Sequence, residues 1–310
     1  MEKTLISLLT ACYNGEAHLR PYFAGLLSQT AENVEYIFIN DGSTDKTEAV
    51  FYEYCPQLEA KGWKCTYIKK ENGGAADALN RGLKVFSGDY LSWIDSDDIL
   101  HPTFLEEMSG FLENNPQFGF CYAQTQFVRV GKLNEPYHVC KRILPADGTD
   151  NFLEDLIAGR NLPALAFCMV RSSAFLQVNP ERDIYVSPVG QNAQMLLPMA
   201  KNFRCGYIDK VLSSYVVRPN SMSHEVNPMY DCMLEDVLLH VMKDMKLKPW
   251  EEIYCQKLLS ARFHKQEAEK PKNFSLKLFD IIPFLRGKNK KSKLKIYLFS
   301  FIPLFSIKNK

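Results

Sequence analysis

Three carboxylates fall within four positions at the end of an apolar run: Asp95, Asp97 and Asp98 follow Tyr90, Leu91, Trp93 and Ile94. Like charges this close repel, and burying them unpaired is costly, so such a cluster usually needs a cation or strong donors. Hard oxygen ligands favour Mg²⁺ or Mn²⁺, which commonly bridges to a substrate diphosphate. A plainer reading exists for Asp98, which precedes Ile-Leu-His-Pro and suits a helix N-cap. The residues upstream weigh against it.

Those residues form a series of strands that each end in a polar motif. An apolar strand over 5–11 runs into Cys12-Tyr13-Asn14-Gly15, and a second over 34–39 into Asn40-Asp41-Gly42-Ser43-Thr44-Asp45. A third, over 65–68, meets Glu71-Asn72-Gly73-Gly74 and a helix over about 75–86; the acidic strand is the fourth. Helical patterns separate them, which reads as βαβ units and a parallel sheet. Ligands of such sheets bind at the carboxyl ends of the strands, where all four motifs converge.

Together these motifs resemble the family 2 glycosyltransferases, inverting enzymes of the GT-A fold. The matching residues are Thr10 to Asn14, Asn40 to Asp45, Asn72-Gly73-Gly74 with Ala78-Leu79-Asn80-Arg81-Gly82, and Gly88-Asp89-Tyr90 through Asp98. The resemblance covers residues 1–130 specifically and 160–225 more loosely. It implies an α/β fold, a Rossmann-like mostly parallel sheet flanked by helices, with C-terminal helices and a basic apolar tail. Residues 1–225 would form the transferase domain (donor half 1–130, acceptor half 131–225), 226–269 a helical segment and 270–310 the tail.

What the resemblance implies can be carried over residue by residue. Ala11, Tyr13 and Asp41 would contact the nucleotide base, Asp41 accepting from a ring N–H. Asn72 and Arg81 would face the nucleotide and diphosphate, Asp95 with Ser96 the ribose, and Asp97, in a DXD motif, the metal. Asp41 or Asp45 as a plain helix cap, and Arg81 as a solvated helix residue, are the alternatives. The donor would be a nucleotide-sugar, a UDP-sugar first, for hexosyl or N-acetylhexosaminyl transfer to a hydroxyl of a surface-glycan or lipid-linked acceptor.

Beyond the acidic motif, a helix is expected over 102–114, an extended segment over 118–130 and a strand over 164–170. Many relatives carry a Glu-Asp pair at the next helix start, the Asp being general base, but here the pair is Gln191-Asn192. An amide cannot take a proton at physiological pH, and would rather hold acceptor hydroxyls. Three readings stay open: another carboxylate, Asp183 or Asp209, is the base; the true pair lies elsewhere; or the chain is a nucleotide-sugar-binding subunit that transfers poorly. Two short strands over 205–209 and 211–217 precede Arg218, suited to phosphate oxygens, and His224, a metal or phosphate contact. His18, His101, His138, His240 and His264 have no partner motif and read as structural or exposed. Two helices follow, one with Met229, Met233, Val237, Val241 and Met245 on a stripe, one opened by Pro249 with Trp250, Ile253, Tyr254, Leu258 and Ala261 on a face.

No Gly-x-Gly-x-x-Gly follows the first strand and no Gly-rich basic loop stands near it, which argues against a dinucleotide oxidoreductase and a nucleotidyltransferase. The nine cysteines are dispersed without a Cys-x-x-Cys pair, as expected of reduced thiols in a cytoplasmic protein. The first strand begins so near Met1 that no signal peptide is expected. The net charge of +1 hides a division: residues 270–310 carry eleven Lys or Arg against Asp280, a net of +10, leaving −9 for residues 1–269. Cations beside Phe299, Phe301, Ile302 and Leu304 suit an anionic membrane surface better than nucleic acid, and no run reaches the roughly 20 residues a spanning helix needs. The expectation is a peripheral protein on the inner membrane face.

Overall fold

Alternation of short apolar runs with amphipathic ones dictates the first half of the chain. The computed structural model describes residues 4–144, 150–160, 165–218 and 228–263, and the backbone of a tail hairpin at 295–298 and 302–306. Strand β1 (Ile6–Cys12), helix α1 (Leu19–Leu27), β2 (Val34–Asn40), α2 (Thr47–Ala60), β3 (Lys64–Lys69), α3 (Ala75–Val85) and β4 (Tyr90–Trp93) follow in order. β1 pairs in parallel with both β2 and β4, and β2 in parallel with β3.

The rest of the sheet is mixed. β5 (Ile99–Leu100) leads to α4 (Phe104–Asn114), β6 (Phe118–Arg129), β7 (His138–Cys140), α5 (Phe152–Ala158), β8 (Cys168–Arg171), α6 (Ser172–Val178), α7 (Gln191–Asn202) and β9 (Arg204–Val217). The strand order is β3-β2-β1-β4-β8-β6-β9-β5, with β7 on β6. β8 is antiparallel to both neighbours, whereas β6 and β9 run parallel. The carboxyl ends of β1, β2, β3, β4, β6 and β9 therefore open on one side.

Every residue of β2 is buried, as a strand covered on both faces requires. Neighbouring residues enter different cores because side chains alternate across a strand. Leu8 and Phe38 pack with α1, α2 and α4, while Leu9 and Ile39 pack with α3, α5 and α7. Gly82 lets α3 lie on the sheet, since a Cβ there would come within 2.8 Å of Leu9 and 3.0 Å of Ile39. The C-terminal helices α8 (Pro228–Asp244) and α9 (Pro249–Phe263) complete the second core through Leu234, Val237, Leu238, Cys255 and Leu259. The hairpin strands β10 (Lys295–Leu298) and β11 (Ile302–Ser306) are antiparallel.

Three local expectations change. The strands expected over 205–209 and 211–217 are one, β9, which slips against β6 around Gln124 instead of breaking. The strand expected over 164–170 begins at Cys168, and residue 164 lies outside the described residues. The buried residues of α9 are Glu251, Cys255 and Leu259, and Ile253 is 55% exposed. That face buries Cys255 and Leu259 in the core, with Glu251 beside them accepting from Lys201 of α7 at 2.6 Å. Among the described residues no helix is long and apolar enough to cross a membrane.

Candidate active site

The loops after β1 and β2 are stitched to each other. Asn14 takes the left-handed conformation, φ 50°, which Asn tolerates. Its N–H donates to Ser43 Oγ, and its Oδ1 accepts from Thr44 N–H, both at 2.9 Å. Gly15 N–H donates to Thr47 Oγ1 and Glu16 N–H to Asp45 Oδ2. Asp45 also accepts from Thr47 N–H, so it ties the first residue of α2 to the brace on the first loop. Ala11 is half-buried at the strand end, and Tyr13 is exposed above it.

Asp41 is buried and organises the third loop. Its carboxylate accepts from Lys70 Nζ at 2.6 Å, Gly73 N–H at 3.0 Å and Gly74 N–H at 2.8 Å. Its carbonyl accepts from Asn72 Nδ2 at 3.0 Å. Gly74, at φ 88°, is the N-cap of α3, a conformation that favours glycine. Three donors already occupy a carboxylate with about four lone-pair sites, which leaves room for one ligand N–H. Lys70 also pairs with Asp77 at 2.6 Å, and this cation beneath the loop is a residue that the motifs alone did not single out. Arg81 is exposed on α3.

The acidic cluster sits just past β4. Asp98 is fully buried; its Oδ1 accepts from Val216 N–H at 2.9 Å, while its Oδ2 has no partner. Burial, then the Asp97 charge, pushes Asp95 up to about 7, and burial with both neighbouring acids raises Asp98 well above the usual carboxylate range. Asp97 is ion-paired with the guanidinium of Arg218, which arrives from the end of β9. Arg218 Nη1 lies 3.4 Å from His18 Nδ1, and His18 Nε2 lies 3.4 Å from Ser96 Oγ. Burial and the Arg218 cation hold His18 below its ordinary value, so it is neutral at physiological pH. His18 thus belongs to the cluster rather than to the exposed or purely structural histidines; its place beside α1 gave no sequence signal. Burial pushes the Cys12 thiol beneath it up to about 11.

Asn192 reaches the same end of the sheet. Trp93, the last residue of β4, donates its Nε1–H to Asn192 Oδ1 at 2.8 Å. Gly190, at φ 79°, lets α7 start there, with Leu234 and Val237 of α8 within 3.1 Å of where a Cβ would stand. Gln191 is half-buried beside it.

The two carboxylates considered as bases are not brought to this cluster. Asp183 is 53% exposed and lies 3.9 Å from Lys84 in the last turn of α3. At 1.5 Å per residue, that turn is about 15 Å below the Gly74 end. Asp209 accepts from Gln124 in the slip of β9, well before Val216 on the same strand. Counted along β6, where Ala123 faces Ile208 and Val128 faces Val216, about 3.3 Å per residue places it roughly 15 Å from the Val216 end that holds Asp98. His224 lies outside the described residues.

The cluster therefore unites Asp95, Ser96, Asp97, Asp98, His18 and Arg218 at the carboxyl ends of parallel strands. The sequence model of Glycosyl transferase family 2 matches residues 7–170, more than half of the chain. An uncharacterized glycosyltransferase of Rickettsia typhi is 40% identical over 108 residues, 35% of this chain and 32% of that protein. The glycosyltransferase GlyA of Streptococcus pneumoniae is 34% identical over 103 residues, 33% of this chain and 14% of that one. The match thus spans a third or less of these relatives' length. Among solved structures, Staphylococcus aureus TarS 1–349 in complex with UDP-GlcNAc superposes with a TM-score of 0.60 at 20% identity, over 84% of this chain and 71% of that one. The mannosyltransferase PcManGT of Pyrobaculum calidifontis, in complex with GDP-Man and Mn²⁺, gives 0.52 at 15%, over 83% and 74%. These likenesses show the fold, GT-A. With the four strand-end loops arranged around one acidic cluster and the family model spanning them, the chain belongs to the family 2 glycosyltransferases.

Proposed function

We propose that this glycosyltransferase moves a hexosyl or N-acetylhexosaminyl group, with inversion, from a nucleotide-diphosphate donor to a hydroxyl of a surface-glycan or lipid-linked acceptor. The observation that carries the reading is the Asp95-to-Asp98 cluster with Arg218 and His18 at the strand ends. A UDP-sugar is the donor we favour, supported by the UDP-GlcNAc bound to TarS on the same fold.

The donor set fits a hard divalent cation. Three crowded carboxylates, one with a buried unpartnered oxygen, and an arginine drawn onto another are the signs of a place that demands positive charge. Asp97 and Asp98 would hold Mn²⁺ or Mg²⁺, and His224 is a further candidate ligand. When bound, the ion supplies charge neutralisation to the diphosphate leaving group.

The chain's own residues do the rest. Ala11, Tyr13 and Asp41 seat the base, Asn72 faces the nucleotide and diphosphate, and Asp95 with Ser96 takes the ribose hydroxyls. Arg81 lies on the nucleotide side. Arg218, released from Asp97, turns its fork to phosphate oxygens, with neutral His18 as a hydrogen-bonding neighbour. Gln191 and Asn192 hold acceptor hydroxyls. Their amides, with Asp183 and Asp209 both remote, support a second reading, a donor-binding subunit that transfers slowly and serves a partner.

Residues 1–225 would carry transfer, 226–269 would buttress the acceptor half, and 270–310 would hold the protein on the inner face of an anionic membrane. The tail lies outside the described residues except for the hairpin backbone at 295–298 and 302–306. Purified protein incubated with a panel of UDP- and GDP-sugars, with and without Mn²⁺, tests the reading. We expect a thermal shift and nucleoside diphosphate release with one donor, both lost in Asp97→Asn. Donor binding with no release for any donor or acceptor supports the subunit reading instead, and no binding at all overturns both. Anionic liposomes should pellet the full chain at low salt but not a chain ending at Glu269.

A further inference from the structure

Far from the acidic cluster, the last turns of α2 meet β3 through three side chains able to bind metal. Cys55 and Glu59 are four residues apart on α2 and share a face. Cys65 stands on β3, beyond the connecting turn. One ligand atom from each, two sulfurs and a carboxylate oxygen, all lie within 4.8 Å of one another. Around a tetrahedral ion with bonds of about 2.3 Å to sulfur and 2.0–2.2 Å to oxygen, such atoms stand roughly 3.5–3.8 Å apart. Small side-chain rotations close the set.

The neighbourhood suits a dication. Lys61, inside the connecting turn, spends its ammonium on the carbonyls of Leu27 and Gln29, away from the thiols. Lys64 adjoins Cys65, but successive strand side chains point to opposite faces. Both cysteines are half-buried and Glu59 is exposed, so the fourth position opens to water. Two sulfur ligands select a softer ion than the all-oxygen cluster at the strand ends.

We propose that Cys55, Glu59 and Cys65 form a binding site for a soft divalent cation, Zn²⁺, that fastens α2 to β3. The ion displaces two thiol protons on binding and takes water as its fourth ligand. Nothing in the transfer reaction requires this ion.

Co²⁺, added to the reduced, metal-free full chain, is the probe. A thiolate-to-cobalt charge-transfer band should rise to one equivalent, and Zn²⁺ should bleach it. Cys65→Ser should abolish the band. Glu59→Gln, at an exposed position that does not threaten folding, should keep a band while weakening Co²⁺ affinity at least about tenfold. Zn²⁺ should raise the melting temperature of the wild-type chain and not that of Cys55→Ser. A chain without the band, or with one unchanged in both cysteine variants, overturns the proposal. So does thiol mapping that finds Cys55 and Cys65 joined in a disulfide in protein prepared under reductant.

Discussion

Trp93 and Asn192 tie the acidic strand to the start of α7: the indole N–H donates to the amide oxygen at 2.8 Å. The amide oxygen of Asn192 is thereby engaged, and its NH₂ can only donate. Asn192→Asp would place a carboxylate on the same indole, at the position where the family resemblance leads us to expect the base. We expect donor binding to stay unchanged and turnover to rise, since general-base catalysis is commonly worth about 10²–10⁴-fold. Trp93→Phe in that background should cancel much of the gain. Initial rates at saturating donor decide it; a fall in rate for Asn192→Asp would show that the amide itself is required.

Arg218 is paired with Asp97, and the proposed cation would have to compete with it for that carboxylate. Arg218→Met should therefore bind Mn²⁺ alone more tightly than the wild-type chain. It should bind UDP in the presence of Mn²⁺ about tenfold or more weakly, because hydrogen bonds to charged groups contribute about 1.5–3 kcal/mol. Titration of free Mn²⁺ by electron paramagnetic resonance and of UDP by calorimetry separates the two effects.

Lys70 is the buried counterion of Asp41. Lys70→Met leaves the carboxylate with the Gly73 and Gly74 N–H groups and no cation. Breaking a buried pair from one side costs about 3–5 kcal/mol, and the remaining donors place this case near 3. Urea unfolding should show the loss, and nucleotide affinity should fall with it.

Glu154 on α5 is buried with an unpartnered oxygen, and burial, reinforced by Asp150 and Asp155, pushes it up to about 7 from 4.5. Its raised value means that the folded chain keeps a proton which the unfolded chain releases. Stability should therefore fall as pH rises from about 4.5 to 7 and level off above, by on the order of 3 kcal/mol. Glu154→Gln should remove that fall and be the more stable protein at pH 8. Urea midpoints of both chains at pH 5 and 8 check it.

Much of the donor half is legible in the sequence because each strand there is a short apolar run stopped by turn residues. Residues 34–39 against the observed Val34–Asn40, and 75–86 against Ala75–Val85, differ only at the ends. What escapes the sequence is set by pairing across the fold. His18 joins Ser96 and Arg218 only once α1 and β9 are in place. Asp209 is near Gln191 in the chain, and only the β6–β9 register shows how far it stands from Asp98. The inward face of α9 includes a Glu251–Lys201 pair that an apolar-periodicity reading treats as solvent-facing. Lys70 resembles a solvated lysine until Asp41 and Asp77 are seen around it.

The slip in β9 fixes the phase of everything after it. Ala123 faces Ile208 and Thr125 faces Ser213, so β9 spends five steps where β6 spends two. An odd surplus swaps which side of the strand later residues present, since side chains alternate with period two. The hold of Val216 on Asp98 and the arrival of Arg218 at Asp97 both lie downstream of that count. Removing one residue near Lys210 would thus invert the end of the strand, whereas exchanging the same residue for another would leave its reading frame intact.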